Sequence, residues 1–245
     1  MVYRARHGQV SYGEPIGILL LDQDHCPFVP GDVANATTYA YPVRFQRVEG
    51  LTPARLFRHD RSLYETVLAG ARSLVQNGVR AVTSDCGFMA LYQQDLAREL
   101  GVPVMMSSLI QIPLISTIIG PERRIGVVTA NAGSLTGELL QRAGVSSSDR
   151  VVVAGLEHTE HFAPVAVYET ADTLDTELVE REVVTAVDGL LRRDRELGAI
   201  LLECSLLPPY GAAVHDAFGL PVFDFVTAID FVYSSVVKRR YSGLM

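Results

Sequence analysis

Lysine is nearly missing from this chain: of 21 basic residues only Lys238 is a lysine, in a Lys-Arg-Arg run near the C-terminus. A pyridoxal phosphate enzyme needs an interior lysine for its Schiff base and a Walker loop needs one for its phosphates, so neither chemistry fits. Positive charge is also short, with a formal net charge of -7. That balance argues against a sequence-independent hold on nucleic acid or anionic lipid. Residues 1–14 lack the apolar core of a secretory signal, and the expectation is a cytoplasmic protein. Val102 to Gly120 carries no formal charge, but Pro103, Pro113 and several Ser, Thr and Gln residues interrupt it. A buried strand running into a buried helix is the better reading than a membrane span. Cysteine is scarce, and three cannot all pair, so stability must come from core burial. A chain of 245 residues, 48% of them hydrophobic, can supply one large core or two lobes.

What is present reads as short apolar strands alternating with amphipathic helices, the pattern of a parallel sheet covered by helices. Ile16 to Leu21 is an unbroken apolar run suited to a strand buried on both faces. Leu63, Val67, Ala71, Leu74 and Val75 fall at helical spacing, Gly78 closes that helix, and Ala81 to Ser84 forms the next strand. The second half repeats the plan: strand Ile125 to Thr129, helix Ser134 to Ala143, strand Val151 to Ala154, helix Leu178 to Glu196, strand Ala199 to Glu203. Residues 22–60, broken by prolines, Asp and Asn, fit no period; they read as an elaborated loop with one short strand near Tyr41 to Val48.

An internal duplication is the informative feature. Ala81 to Cys86 aligns with Ala199 to Cys204, and the register continues through Tyr92 and Tyr210, Gly101 and Gly219, Pro103 and Pro221, and Val104 and Val222, all 118 positions apart. Ile16-Gly17-Ile18 matches Ile125-Gly126-Val127 at an offset of 109. Each cysteine stands where a strand ends and a helix is about to begin, the edge of a parallel sheet where ligands bind. The helices expected after them, Met89 to Leu100 and Pro209 to Phe218, would aim N–H groups at the thiols and lower their pKa. Asp85 and Glu203 are expected on the opposite face, since strand neighbours alternate. Halves related by a pseudo-two-fold axis would set the thiols on opposite walls of one cleft. One could then remove a proton from a carbon centre while the other delivers one to the far face.

Ser84-Asp85-Cys86-Gly87-Phe88 and Leu201-Leu202-Glu203-Cys204-Ser205, on strands opening Ile16-Gly17 and Ile125-Gly126, resemble the two catalytic cysteine segments of the aspartate/glutamate/hydantoin racemase superfamily. The likeness runs from residue 14 to about 235. It implies an α/β fold of two flavodoxin-like lobes, over residues 1–115 and 116–223, with residues 224–245 packing back on the first. It also implies a cofactor-independent racemase or epimerase in which Cys86 and Cys204 invert a small carboxylate-bearing substrate, and a homodimer or higher homo-oligomer.

The amino-acid racemases follow their first cysteine with Asn-Thr and place a histidine soon after the second. This chain has Gly87-Phe88 and Ser205-Leu206-Leu207-Pro208, so glutamate itself fits poorly. Ser84, Gly87, Phe88, Thr129, Asn131 and Ser205 are the candidates for substrate contact, and Asp22 stands near the acidic helper of glutamate racemase, two residues late. Asn131 serves equally as a helix N-cap. Cys26 has no repeat mate and reads as a non-catalytic thiol. Glu157-His158-Thr159-Glu160-His161 lacks the His-Glu-x-x-His spacing of a zinc site, and no metal is expected. The alternatives are a maleate-type cis-trans isomerase with a covalent cysteine adduct, and a two-lobed protein that only binds a small ligand.

Overall fold

In a computed structural model, which describes residues 2–146 and 150–245, the chain folds as two parallel four-stranded sheets with helices between and around them. The first sheet contains β1 (Ile16–Leu20), β2 (Val43–Arg47), β3 (Ala81–Ser84) and β4 (Val104–Met105), in the order β2-β1-β3-β4. The second contains β5 (Arg124–Thr129), β6 (Val151–Gly155), β7 (Leu197–Leu202) and β8 (Val222–Phe223), in the order β6-β5-β7-β8. The two orders are the same, and so is the register: Ile16 lies opposite Ala81, and Ile125 opposite Ala199.

The repeated glycines have a packing reason. Gly17 lies under Leu74 of α2 (Tyr64–Gln76), and Gly126 meets Ile200 and Leu197 of β7 as well as Leu190 of α7 (Thr176–Arg193), each too close for a side chain without displacement. Gly101 and Gly219, at φ 65° and 66°, let the chain turn back toward β4 and β8 in both halves. The remaining helices are α1 (Pro53–Phe57), α3 (Gln93–Glu99), α4 (Ile112–Ile118), α5 (Gly137–Arg142), α6 (Phe162–Ala166), α8 (Gly211–Phe218) and α9 (Phe225–Val236). Among the described residues, no helix is long and apolar enough to cross a membrane.

The lobes share their interior. One continuous buried cluster joins Leu19 and Val82 of the first sheet to Ile125, Val127 and Leu201 of the second. A separate cluster seats Phe225, Ala228 and Ile229 of α9 against Ile16, Ile18, Ala81 and Met105. The chain thus returns from the second sheet to cover the first.

Two expected helices differ from the sequence reading in a way that matters for the site. After Cys86 the chain makes a 3-10 helix over Gly87–Tyr92 before α3 begins, and after Cys204 a 3-10 turn over Pro208–Tyr210 precedes α8. The helix expected from Ser134 is likewise split: a 3-10 turn over Ala132–Ser134 is followed by α5, with Thr136 as its N-cap.

Candidate active site

Cys86 and Cys204 line one cavity. Its walls are Leu21, Gln23 and Phe28 after β1, Pro53 and Phe57 of α1, Asp85 to Phe88, Ala130, Ala166, and Glu203 to Leu206. Both cysteines are partly exposed, so neither thiol is sealed into the core. The free space is about 30 Å³, room for one or two waters. One wall is the irregular segment after β1. It bridges the lobes through the His25 ring nitrogen, 3.2 Å from the Val165 carbonyl, and through the Val33 N–H, which donates to the Ser205 carbonyl at 3.4 Å.

The expected lowering of the thiol pKa is corrected by the structure. Burial pushes both thiols well above their ordinary value, and the Glu203 carboxylate adds to the rise at each. The α-helices whose dipoles were to offset this begin only at Gln93 and Gly211. What reaches each sulfur is a single backbone N–H two residues on, from Phe88 to Cys86 and from Leu206 to Cys204. The two halves repeat this contact as they repeat the sequence.

A second correction concerns the acids. Asp85 and Glu203 do not face away; both line the cavity with the thiols. Side-chain alternation holds inside a strand, and β3 and β7 end one residue earlier, at Ser84 and Leu202. Asp85 turns back so that both its oxygens accept from the Leu21 N–H, at 3.0 and 3.1 Å. Glu203 accepts the Thr129 hydroxyl on Oε2 at 2.7 Å, while its Oε1 has no partner. Burial raises each carboxyl to about 7. Two serines fix the backbone beside them: Ser205 donates to the Asp85 carbonyl, and Ser108 to the Glu203 carbonyl at 3.0 Å.

Of the residues singled out in the sequence, Cys86, Gly87, Phe88, Cys204 and Ser205 meet at this cavity. Thr129 stands behind it, holding Glu203. Ser84 is buried, donating to the Met106 carbonyl at 2.7 Å. Asn131 caps the 3-10 turn of residues 132–134 by accepting from the Ser134 N–H. Asp22 lies outside the cavity lining, engaged by Arg47 and by the Gly50 N–H, which holds its carboxyl below the usual range. Glu157, from the histidine-containing loop, accepts the Ala132 N–H.

Cys26 is buried outside this cavity, and its thiol rises to about 12 through burial and the nearby Asp32 and Asp85 charges. Sequence reasoning missed Gln23, Phe28, Phe57 and Ala166 as cavity walls. The first three come from the aperiodic stretch, and only its length pointed to a role.

No protein-family model matches the chain. Among curated proteins it is 30% identical to a dimethylsulfoniopropionate lyase of Durusdinium sp. clade D, over 94% of this chain and 77% of that one. The chain belongs to the dimethylsulfoniopropionate lyase family. It is also 32% identical to dimethylsulfoniopropionate lyase 5 of Emiliania huxleyi (strain CCMP1516), across 94% of its own length but only 47% of that relative's. Solved structures place this lyase-family chain in the aspartate/glutamate/hydantoin racemase fold. Allantoin racemase from Klebsiella pneumoniae superposes with a TM-score of 0.60 at 17% identity, covering 90% of this chain and 87% of that one. Unliganded arylmalonate decarboxylase gives 0.56 at 17% identity over 92% and 94%. Picrophilus torridus aspartate racemase gives 0.56 at 14% identity over 93% and 96%.

Proposed function

We propose that this chain is a lyase that cleaves dimethylsulfoniopropionate by β-elimination, with a cysteine of the Cys86–Cys204 pair as the base. The thiolate takes a proton from the carbon beside the carboxylate. The electron pair of that C–H bond becomes the new C=C bond, and the C–S bond breaks with its electrons going to sulfur. Neutral dimethylsulfide and acrylate leave, and the thiol returns its proton to solvent.

One observation carries this reading: among the described residues, the cavity that holds both thiols is lined by three phenylalanines and two carboxylates, and by no Arg, Lys or His. An amino dicarboxylate finds no cationic counterpart there. A sulfonium finds aromatic faces, each worth about 0.5–2 kcal/mol to a cation, and negative charge. Gln23 offers a neutral amide to the substrate carboxylate. The raised thiol pKa also fits: burial first, and then the Glu203 charge, favours the protonated thiols, and an arriving cation offsets that charge. Each pKa unit so recovered is worth about 1.4 kcal/mol toward proton removal.

Racemisation, expected from the sequence, shares the first step and differs in the fate of the carbanion. With no leaving group on the β-carbon, a second thiol returns a proton; with a sulfonium there, elimination wins. The two are separated by incubating the purified chain with dimethylsulfoniopropionate while measuring headspace dimethylsulfide and acrylate, in parallel with amino acids and hydantoins in heavy water. Dimethylsulfide and acrylate in equal amounts are expected. Inversion and α-deuteration of an amino acid without dimethylsulfide release would return the chain to the racemases.

A further inference from the structure

Glu203 is the element of the cavity that its own fold does not explain. It is fully buried, and Oε1 is without a hydrogen-bond partner. Its repeat mate Asp85 sits at the equivalent place with both oxygens accepting from Leu21. The extra methylene of Glu carries Oε1 out of the second lobe to the Cys86 loop, where it lies against Gly87 so closely that any side chain there would overlap it. Thr129 fixes the other oxygen, so the free one is held in place. Phe88 and Phe57, in an edge-to-face pair with centroids 5.0 Å apart, line the same cavity as Glu203. A buried carboxylate oxygen left without a donor is costly, and here it belongs to a residue that lines a cavity together with aromatic rings.

We infer that Glu203 is a specificity-determining residue that receives the cationic end of the substrate, its Oε1 facing an onium centre bedded against Phe57 and Phe88. The inference takes the identity of the onium compound from the lyase reading above, but the cation site itself stands on this geometry. Donation from a protonated Glu203 to the substrate carboxylate is the competing role. Propionate, which carries the carboxylate without the onium, separates the two roles.

The test uses tetramethylammonium, an onium ion with no carboxylate and no leaving-group chemistry, and propionate, the anion without the onium. Calorimetric titration of the full chain should show tetramethylammonium binding that Glu203→Gln weakens at least tenfold, with weak propionate binding little changed. Since Glu203→Gln could disturb folding, the wild-type chain labelled with ¹³C at its Glu carboxyls gives an independent reading: tetramethylammonium should shift the Glu203 signal and propionate should not. Equal tetramethylammonium affinity in wild type and Glu203→Gln, or a Glu203 signal that moves with propionate alone, would overturn the inference. A chain that binds tetramethylammonium through Glu203 yet releases no dimethylsulfide upholds the cation site and refutes the lyase reading alone. A chain that releases dimethylsulfide with no tetramethylammonium effect at Glu203 does the reverse.

Discussion

Replacing Gly87 by alanine tests the cavity's construction at one atom. Gly87 is not among the residues with positive φ, so alanine meets no backbone strain; the glycine is needed for space. A methyl group there would overlap the Glu203 carboxylate and come within 2.9 Å of the Glu203 carbonyl oxygen. The acid must swing away, losing the Thr129 hydrogen bond, which as a bond to a charged group is worth about 1.5–3 kcal/mol. Overpacking of a tight interior costs about 1–3 kcal/mol by itself, so Gly87→Ala should lower the unfolding free energy by roughly 2.5–6 kcal/mol. Urea unfolding of Gly87→Ala, Glu203→Ala and the double variant forms a cycle. With the carboxylate gone, most of the collision is gone, and a coupling of about 1–2 kcal/mol in favour of the double variant is expected. Activity should stay low in all three. Additive effects would mean that the two residues do not meet, and the placement of Glu203 would fall with them.

The remaining predictions concern charge, rings and the wall formed by the segment after β1. Asp85 and Glu203 have folded-state pKa values raised to about 7, so their contribution to stability is complete below about pH 4 and is lost as pH rises toward 7. Each contributes about 3–4 kcal/mol over that range, less in sum because they titrate together. Urea midpoints should fall from pH 5 to pH 8, and a rise would contradict the buried placement. Phe57→Leu removes the edge-to-face partner of Phe88; steady-state assays should show KM rising several-fold with kcat less affected, and an unchanged KM would count against cation binding at the rings. His25→Ala cuts the contact to Val165, and limited proteolysis should then cleave residues 22–35 faster than in wild type. Equal cleavage would mean this contact does not hold the wall.

Much of the frame is legible in the sequence because it is written in local periods. The apolar runs at β1, β3, β5 and β7, the helix-facing glycines Gly17 and Gly126, and the turn glycines Gly101 and Gly219 each follow from a local rule that two halves obey alike. The cysteine pair is legible for the same reason. Alternation does not predict the side of the acids because it ends with each strand, one residue before them. The start of the helices after the thiols is not legible because a 3-10 turn and an α-helix share their apolar spacing over a few residues. Phe28 and Phe57 were beyond reach: they lie in the aperiodic stretch, and only tertiary closure of that stretch onto the second lobe brings them to the thiols. Tyr92 and Tyr210 show the limit of the repeat itself, since the first donates to the Asp60 carbonyl at 2.8 Å while the second has no partner among the described residues.

The most direct measurement follows dimethylsulfide release from dimethylsulfoniopropionate carrying deuterium on the carbon next to its carboxylate, with wild type, Cys86→Ala and Cys204→Ala side by side. A cysteine base predicts slower release from the deuterated compound by wild type and near-complete loss of release in at least one single variant that still folds. Undiminished release by both variants would contradict it.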